Sequence, residues 1–402
     1  MGVLAKEQVN KGRQPEIDCL KAFCIVCMIL LHTIEDLVAN LKGPLYAFLD
    51  YSSIILGAGA FMISMGVGMR YSRNQTPKNY VLRGFEIFTA GQLLNLLRNS
   101  LPNLIAWWIK GEQFFIANSL LVIQADILSF AGLAFILLAL LKKLRVPDLA
   151  ILVIGLIMNL SGFLLYKTMK SPSSFLLSQL LGYFVLTDAE AYFHLCAYFI
   201  FVAFGYFIGG LYPRIQDKNK LSTLVLLVCL PLCVVYYALR INGNISFLPE
   251  FSSDAAYILK PGPDAIVCCL NALVALAVFH KVIRLANNRL PGFVNHLSQN
   301  INQYYCVSYM FILPVQTILI AARGRLIDNV APAALYGCFV LVACWFIIDW
   351  NGKHLHFGIA QLKGARRVAA FAAIWIATAA VVAYAYPRIE VFATFWNNYL
   401  LP

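Results

Sequence analysis

Apolar residues run along this chain in blocks of about twenty, separated by short stretches rich in Lys, Arg, Asn and Gly. At about 1.5 Å of rise per residue, a helical block of that length crosses the hydrocarbon of a bilayer. Eleven such blocks are predicted as spanning helices: 17–38, 48–70, 80–98, 119–141, 147–166, 192–212, 221–241, 264–284, 301–321, 331–349 and 367–386. Two shorter pieces, LIAWWI (104–109) and FLLSQLLGYFVL (175–186), are too brief to span and are predicted as interfacial or re-entrant segments. The expected fold class is an all-α, polytopic transmembrane helix bundle of about 11 spans. No long polar linker divides it, so residues 1–402 are expected to form one membrane domain.

Composition agrees with the pattern. The chain is 61% hydrophobic and 12% charged, against about a quarter charged in soluble domains. Its formal net charge of +12 raises the question of nucleic acid, and the distribution answers it. With the N-terminus in the cytoplasm, 21 of the 31 Lys and Arg residues fall on inner segments, as the positive-inside rule requires. Glu35, Asp36, Asp50, Glu112, Asp188, Glu190, Glu250 and Asp254 fall near the outer face. The positive balance is therefore a topology signal, and nucleic acid is not an expected partner. The first apolar run is too long for a cleavable signal peptide and lacks a small-residue cleavage pattern. The 11 cysteines sit almost entirely inside apolar runs and show no zinc-type spacing with His. They read as small buried hydrophobes, and no metal is expected.

The first run, EIDCLKAFCIVCMILLHTIEDL, departs from this apolar grammar. Lys21 and His32 lie eleven positions apart, which on a helix places them within about 20° of one line. Asp18 and Asp36 extend the same stripe. Ionisable groups inside a span usually face a bundle interior or a wet cavity rather than lipid. Lys21 near the inner interface also has the option of snorkelling. His32 with Asp36 at i+4 is a pair in which the carboxylate fixes the imidazole tautomer and raises its basicity. The residues alone thus predict a functional cavity lined by the first helix.

EIDCLKAFCIVCMILLH resembles the opening helix of the integral-membrane acyltransferases, in which a basic residue precedes a histidine at the helix end. GAGAFMISMGVGMRYSR (57–73), VLRGFEIFTAGQLLNLLR (81–98), VIQADILSFAGLAFILLALLKKL (122–144), FHLCAYFIFVAFGYFIGGLYPR (193–214) and LSQNINQYYCVSYMFI (297–312) continue the resemblance in order. The set is most similar to the acyltransferase-3-like branch that contains the heparan-α-glucosaminide N-acetyltransferase catalytic domain and its bacterial relatives. Two departures stand out. Lys21-Ala22 replaces an Arg-Gly/Ala pair, which loses the guanidinium fork. Arg83 is followed by Glu86 instead of a second arginine.

The resemblance implies acyl transfer, in particular acetyl transfer, from cytoplasmic acetyl-CoA or another acyl-CoA to a hydroxyl or amine of an extracytoplasmic sugar. It implies a multi-pass protein of a bacterial cytoplasmic membrane. His32 is the expected general base or transient acyl carrier, with Asp36 or Asp126 to orient it. Lys21, Arg70 and Arg83 are expected to hold the anionic donor, while Arg73 and Lys78 read as topology signals. Asp188, with His194 beside it, is the candidate patch for the acceptor. His354 and His356 read as solvated. LSQNINQYY (297–305) would stack a sugar ring if it faced an outer cavity. The expected partners are the lipid bilayer, the glycan acceptor and a second copy of the chain in a homodimer. The rival reading is a secondary transporter in which His32 and Asp36 relay protons. No internal repeat of the transporter kind accompanies it.

Overall fold

The computed structural model describes residues 4–10, 12–72, 74–169, 174–187, 192–243, 245, 248, 258–287, 289–355, 358 and 361–389. Its helices are α1 (Pro15–Leu37), α2 (Pro44–Ile55), α3 (Gly57–Tyr71), α4 (Pro77–Asn95), α5 (Leu101–Lys110), α6 (Gln113–Asn118), α7 (Ile127–Lys143) and α8 (Asp148–Thr168). They continue as α9 (Phe175–Gly182), α10 (Leu195–Leu211), α11 (Lys218–Ile241), α12 (Gly262–Leu285), α13 (Gly292–Gln299), α14 (Ile301–Arg323), α15 (Val330–Trp350) and α16 (Gly364–Ala385). No strand is present among the described residues. The fold is an all-α polytopic bundle.

Each of the eleven predicted runs falls on a helix, and they are not equal. Among the described residues, eight helices are long and apolar enough to cross a membrane. The pair α2–α3, bent by 44° at Leu56, makes a ninth as one broken span. The other two runs are α4, which carries Arg83, Glu86, Gln92 and Asn95, and α7, which has 17 residues. They pack against each other. The short pieces at 104–109 and 175–186 are helical in α5 and α9.

Local chemistry sets the ends that matter. Pro15 opens α1, with Glu16 and Asp18 in the first turn, where acidic groups suit the positive end of the helix dipole. The Asp126 carboxylate accepts from the backbone N–H groups of Leu128 and Ser129, both at 3.0 Å, and starts α7. The break between α2 and α3 frees backbone carbonyls at membrane depth, which lipid cannot satisfy. α12 and the turn before it supply the donors: Lys260 Nζ to the Ile54 carbonyl at 2.7 Å and Asn271 Nδ2 to that of Ile55 at 3.4 Å.

α1 runs through the centre and touches α2, α3, α12, α13, α14 and α15. Ile25, Ile29 and Ile34 on it are fully buried. At one end of the bundle, Arg13 pairs with Asp18 at 2.5 Å and Lys218 with Glu16 at 2.6 Å. That end also carries Arg70, Lys142 and Arg214 and is called the basic end below. α3 and α10 cross at Gly66 and Gly205, where an added Cβ on either would strike the other helix's backbone carbonyls at Val202 and Ile63. Gly205→Val is therefore expected to cost about 1–3 kcal/mol, read as a lowered melting temperature in detergent. Gly68→Ala, whose Cβ meets nothing within 4 Å, should leave it unchanged.

Candidate functional site

The polar stripe of α1 lines two cavities that share a wall. The first, of about 60 Å³, lies against the second half of α1 and is lined by His32, Cys27, Ser52, Ser53, Tyr305 and Tyr309 among others. The break at Leu56 is what brings Ser52 and Ser53 of α2 to the same place as Gly57 and Ala58 of α3. His32 is 27% exposed, and its Nδ1 lies 3.2 Å from Glu35 Oε2, one turn further on. Its ring rests on Tyr309, with centroids 5.4 Å apart. Nδ1 is thus engaged by a carboxylate, which leaves Nε2 as the nitrogen available to a reactant.

The second cavity, of about 520 Å³, lies toward the basic end between α1, α3, α4 and α7. Lys21, Asn74, Asn79, Arg83, Glu86 and Asn302 supply its polar wall. Phe61 and Ile127 line both cavities. Lys21 and His32, roughly 16 Å apart along the axis, therefore each face one chamber of a pair. Arg83 contacts Glu86 at 3.2 Å, and Glu86 also receives Arg367 from α16. The polar wall carries both signs, with Arg83 nearly half exposed.

Behind Tyr305 and Tyr309 lies a buried ionic cluster. A π-helical turn at Leu96–Ser100 follows α4 and carries Arg98, which is only 4% exposed. Its guanidinium donates to Asn95 Oδ1 at 3.1 Å, to the Tyr305 hydroxyl at 3.3 Å and to Asp126 Oδ2 at 3.2 Å. Its carbon lies 4.6 Å from the centroid of the Tyr309 ring. The chain of contacts Asp126–Arg98–Tyr309–His32 links the start of α7 to the imidazole. Wide turns of this kind recur at functional sites because they aim a side chain that a regular helix would turn away.

The family model described as heparan-alpha-glucosaminide N-acetyltransferase, catalytic, matches residues 13–235. That stretch covers more than half of the chain and includes α1 through most of α11. The chain belongs to that family. It is therefore a multi-pass membrane protein of an acetyltransferase family, as its resemblance implied. No curated protein and no solved structure matches it. Tyr305 and Tyr309 lie beyond the part that matches the N-acetyltransferase family, yet both wall the His32 cavity.

Within this chain the expected site residues separate. His32 and Lys21 face cavities, and Arg83 joins Lys21. Asp36 does not hold the imidazole; Glu35 does. Positions i+3 and i+4 both lie within one turn of His32, so spacing alone did not choose between them. Asp126 does not reach His32 either. Its oxygens are taken by the two backbone N–H groups of α7, by Arg98 and by the Tyr305 hydroxyl at 3.3 Å.

Arg70 does not line the second cavity. It pairs with Asp148 at 3.0 Å and donates to the Tyr206 hydroxyl at 3.0 Å, which ties α3 to α8 and α10. His194 occupies the position just before α10 and is buried edge-on to Tyr198, with centroids 6.0 Å apart, so it is not part of an open patch. Its neighbour Phe193 is the residue that lines the His32 cavity. Asp188, Glu190, Arg73 and His356 lie outside the described residues. Arg98, Glu35 and Tyr309 are not among the expected site residues, and Tyr305 enters the expectations only as the last residue of LSQNINQYY. The available signals were an arginine closing an apolar run and two tyrosines at i and i+4 on α14.

Proposed function

We propose that the protein transfers an acetyl group from acetyl-CoA, bound at the basic end, to a hydroxyl or amine of a sugar on the opposite face of a bacterial cytoplasmic membrane. The observation that carries this reading is the pair of cavities with a common wall at Phe61 and Ile127, Lys21 in one and His32 in the other. Orientation follows from the positive-inside balance, which puts the basic end in the cytoplasm. Lys21 and Arg83 then meet the phosphates of the donor, and its thioester arm runs along α1 toward His32.

In this reading His32 Nε2 accepts the proton of the acceptor hydroxyl or amine. The freed lone pair attacks the thioester carbonyl, the C–S bond breaks, and the thiolate leaves toward the basic end. Glu35 on Nδ1 stabilises the imidazolium that forms. Purified protein in nanodiscs with labelled acetyl-CoA should release free CoA only when an acceptor sugar is present. Solute movement into liposomes without acetyl-CoA consumption would instead indicate a transporter.

The two arginines once expected on the donor now have different roles, which one comparison tests. Arg83→Glu should raise the acetyl-CoA KM about tenfold, the scale of one lost charge-assisted hydrogen bond. Arg70→Glu should leave that KM within about twofold of wild type and instead lower the melting temperature. Equal KM values for Arg83→Glu and wild type would remove Arg83 from the donor site.

A further inference from the structure

A third cavity, of about 710 Å³, lies on the far side of the α4–α7 pair, between those helices, α9 and α16. It shares no lining residue with the two cavities along α1. Its wall is apolar: Phe88, Leu133, Leu180, Phe184, Trp375 and Val382. Leu180 and Phe184 are exposed at its rim, so it opens sideways, where hydrocarbon surrounds the bundle. Trp375 forms the floor, stacked on Phe88 at 5.8 Å and donating to Thr89 Oγ1 at 3.3 Å.

Two glutamines break this wall. Gln179 is fully buried, lines the cavity, and neither its Nε2 nor its Oε1 has a hydrogen-bond partner among the described residues. Gln92, also fully buried, donates one Nε2 hydrogen to the Tyr183 hydroxyl at 3.4 Å, and its Oε1 has no partner among the described residues. Buried amides without partners are costly anywhere, and membrane depth offers little water to satisfy them. Apolar residues at both positions would have closed the wall at lower cost.

We propose that this cavity binds a long-chain amphiphile whose polar group is a hydroxyl or an amide. The chain fills the apolar volume through the lateral opening. At about 30 Å³ for a liquid water and a similar volume per methylene, the cavity holds on the order of twenty chain carbons. The polar group must both donate and accept, because Gln179 offers the N–H groups and the carbonyl oxygen of an unengaged amide, and Gln92 adds a second carbonyl oxygen. An ester or a phosphodiester accepts alone and leaves both carbonyl oxygens unmet. The site is independent of the acetyl-transfer reading and stands whether or not that reading holds.

Trp375 reports on the floor of the cavity. Whole protein in nanodiscs is titrated with brominated octadecanol, and in parallel with a brominated methyl ester of the same chain length. The Trp375→Phe variant identifies the quenched signal. The alcohol should quench Trp375 saturably, and the ester about tenfold more weakly, the scale of one hydrogen bond lost. Gln179→Leu, which removes the unpaired amide without emptying the space, should weaken the alcohol about tenfold and leave the ester unchanged. Ala379→Phe should abolish saturable quenching by filling the cavity.

Equal curves for alcohol and ester in the wild type would overturn the proposal. So would quenching that is linear in ligand and persists in Ala379→Phe, since that describes bulk lipid. Unlabelled isoprenoid and straight-chain alcohols serve as competitors. Displacement by either supports the site and the stronger identifies the source, whereas displacement by neither overturns it.

Discussion

Replacing His32 with alanine is expected to lower acetyl transfer by about 10²–10⁴-fold, the range that a general base contributes. The loss should fall on kcat, since the imidazole acts on the reacting atoms and Lys21 and Arg83 still meet the donor. Folding should survive, because His32 is partly exposed to a cavity and its ion-pair partner, Glu35, is itself accessible. Expression, membrane insertion and melting temperature in detergent are the controls. Glu35→Gln should give a smaller fall, about 10–100-fold, as is usual when a partner that orients a functional imidazole is changed. Transfer by His32→Ala at the wild-type rate, or a Glu35→Gln variant slower than His32→Ala, would contradict the roles given to this pair.

Much of the helix layout is legible in the sequence because bilayer thickness imposes a length that apolar runs must meet. α1, α8, α10, α11, α12, α14, α15 and α16 stand out on that ground. The stripe on α1 is legible for a related reason: Lys21 and His32 are expensive in lipid, so their angle on the helix points to the cavities. What lies across space from α1 is not legible. Choosing between Glu35 and Asp36 takes side-chain rotamers, which spacing does not specify. Arg70 and Arg83 look alike in sequence, each at the basic end of a span, and only Asp148 and Tyr206 reveal that Arg70 ties helices together. Arg98 reads as one of the ten basic residues left to the outer segments until the π-helical turn rotates it inward. Tyr309 becomes part of the site only when α14 packs on α1.

The second large effect is expected at Arg98, and it separates a structural debt from a functional one. Arg98→Leu leaves the Asp126 carboxylate buried without its cation, which typically costs about 3–5 kcal/mol. The double variant Arg98→Leu/Asp126→Asn should recover most of that stability. Asparagine is as good an N-cap as aspartate, so its side-chain oxygen still accepts from the N–H groups of Leu128 and Ser129 that start α7. Activity should not recover with it. Arg98 sits over the Tyr309 ring, and Tyr309 is the surface on which the His32 ring rests. Without the guanidinium that surface is free to shift, and positional errors of this size at a reacting centre reach about 10²-fold in rate. The double variant is therefore expected to melt near the wild type and to turn over on the order of 10²-fold more slowly, with the acetyl-CoA KM unchanged. Recovery of stability and turnover together would make Arg98 a purely structural counterion, and the line from Asp126 to the imidazole would carry no catalytic weight.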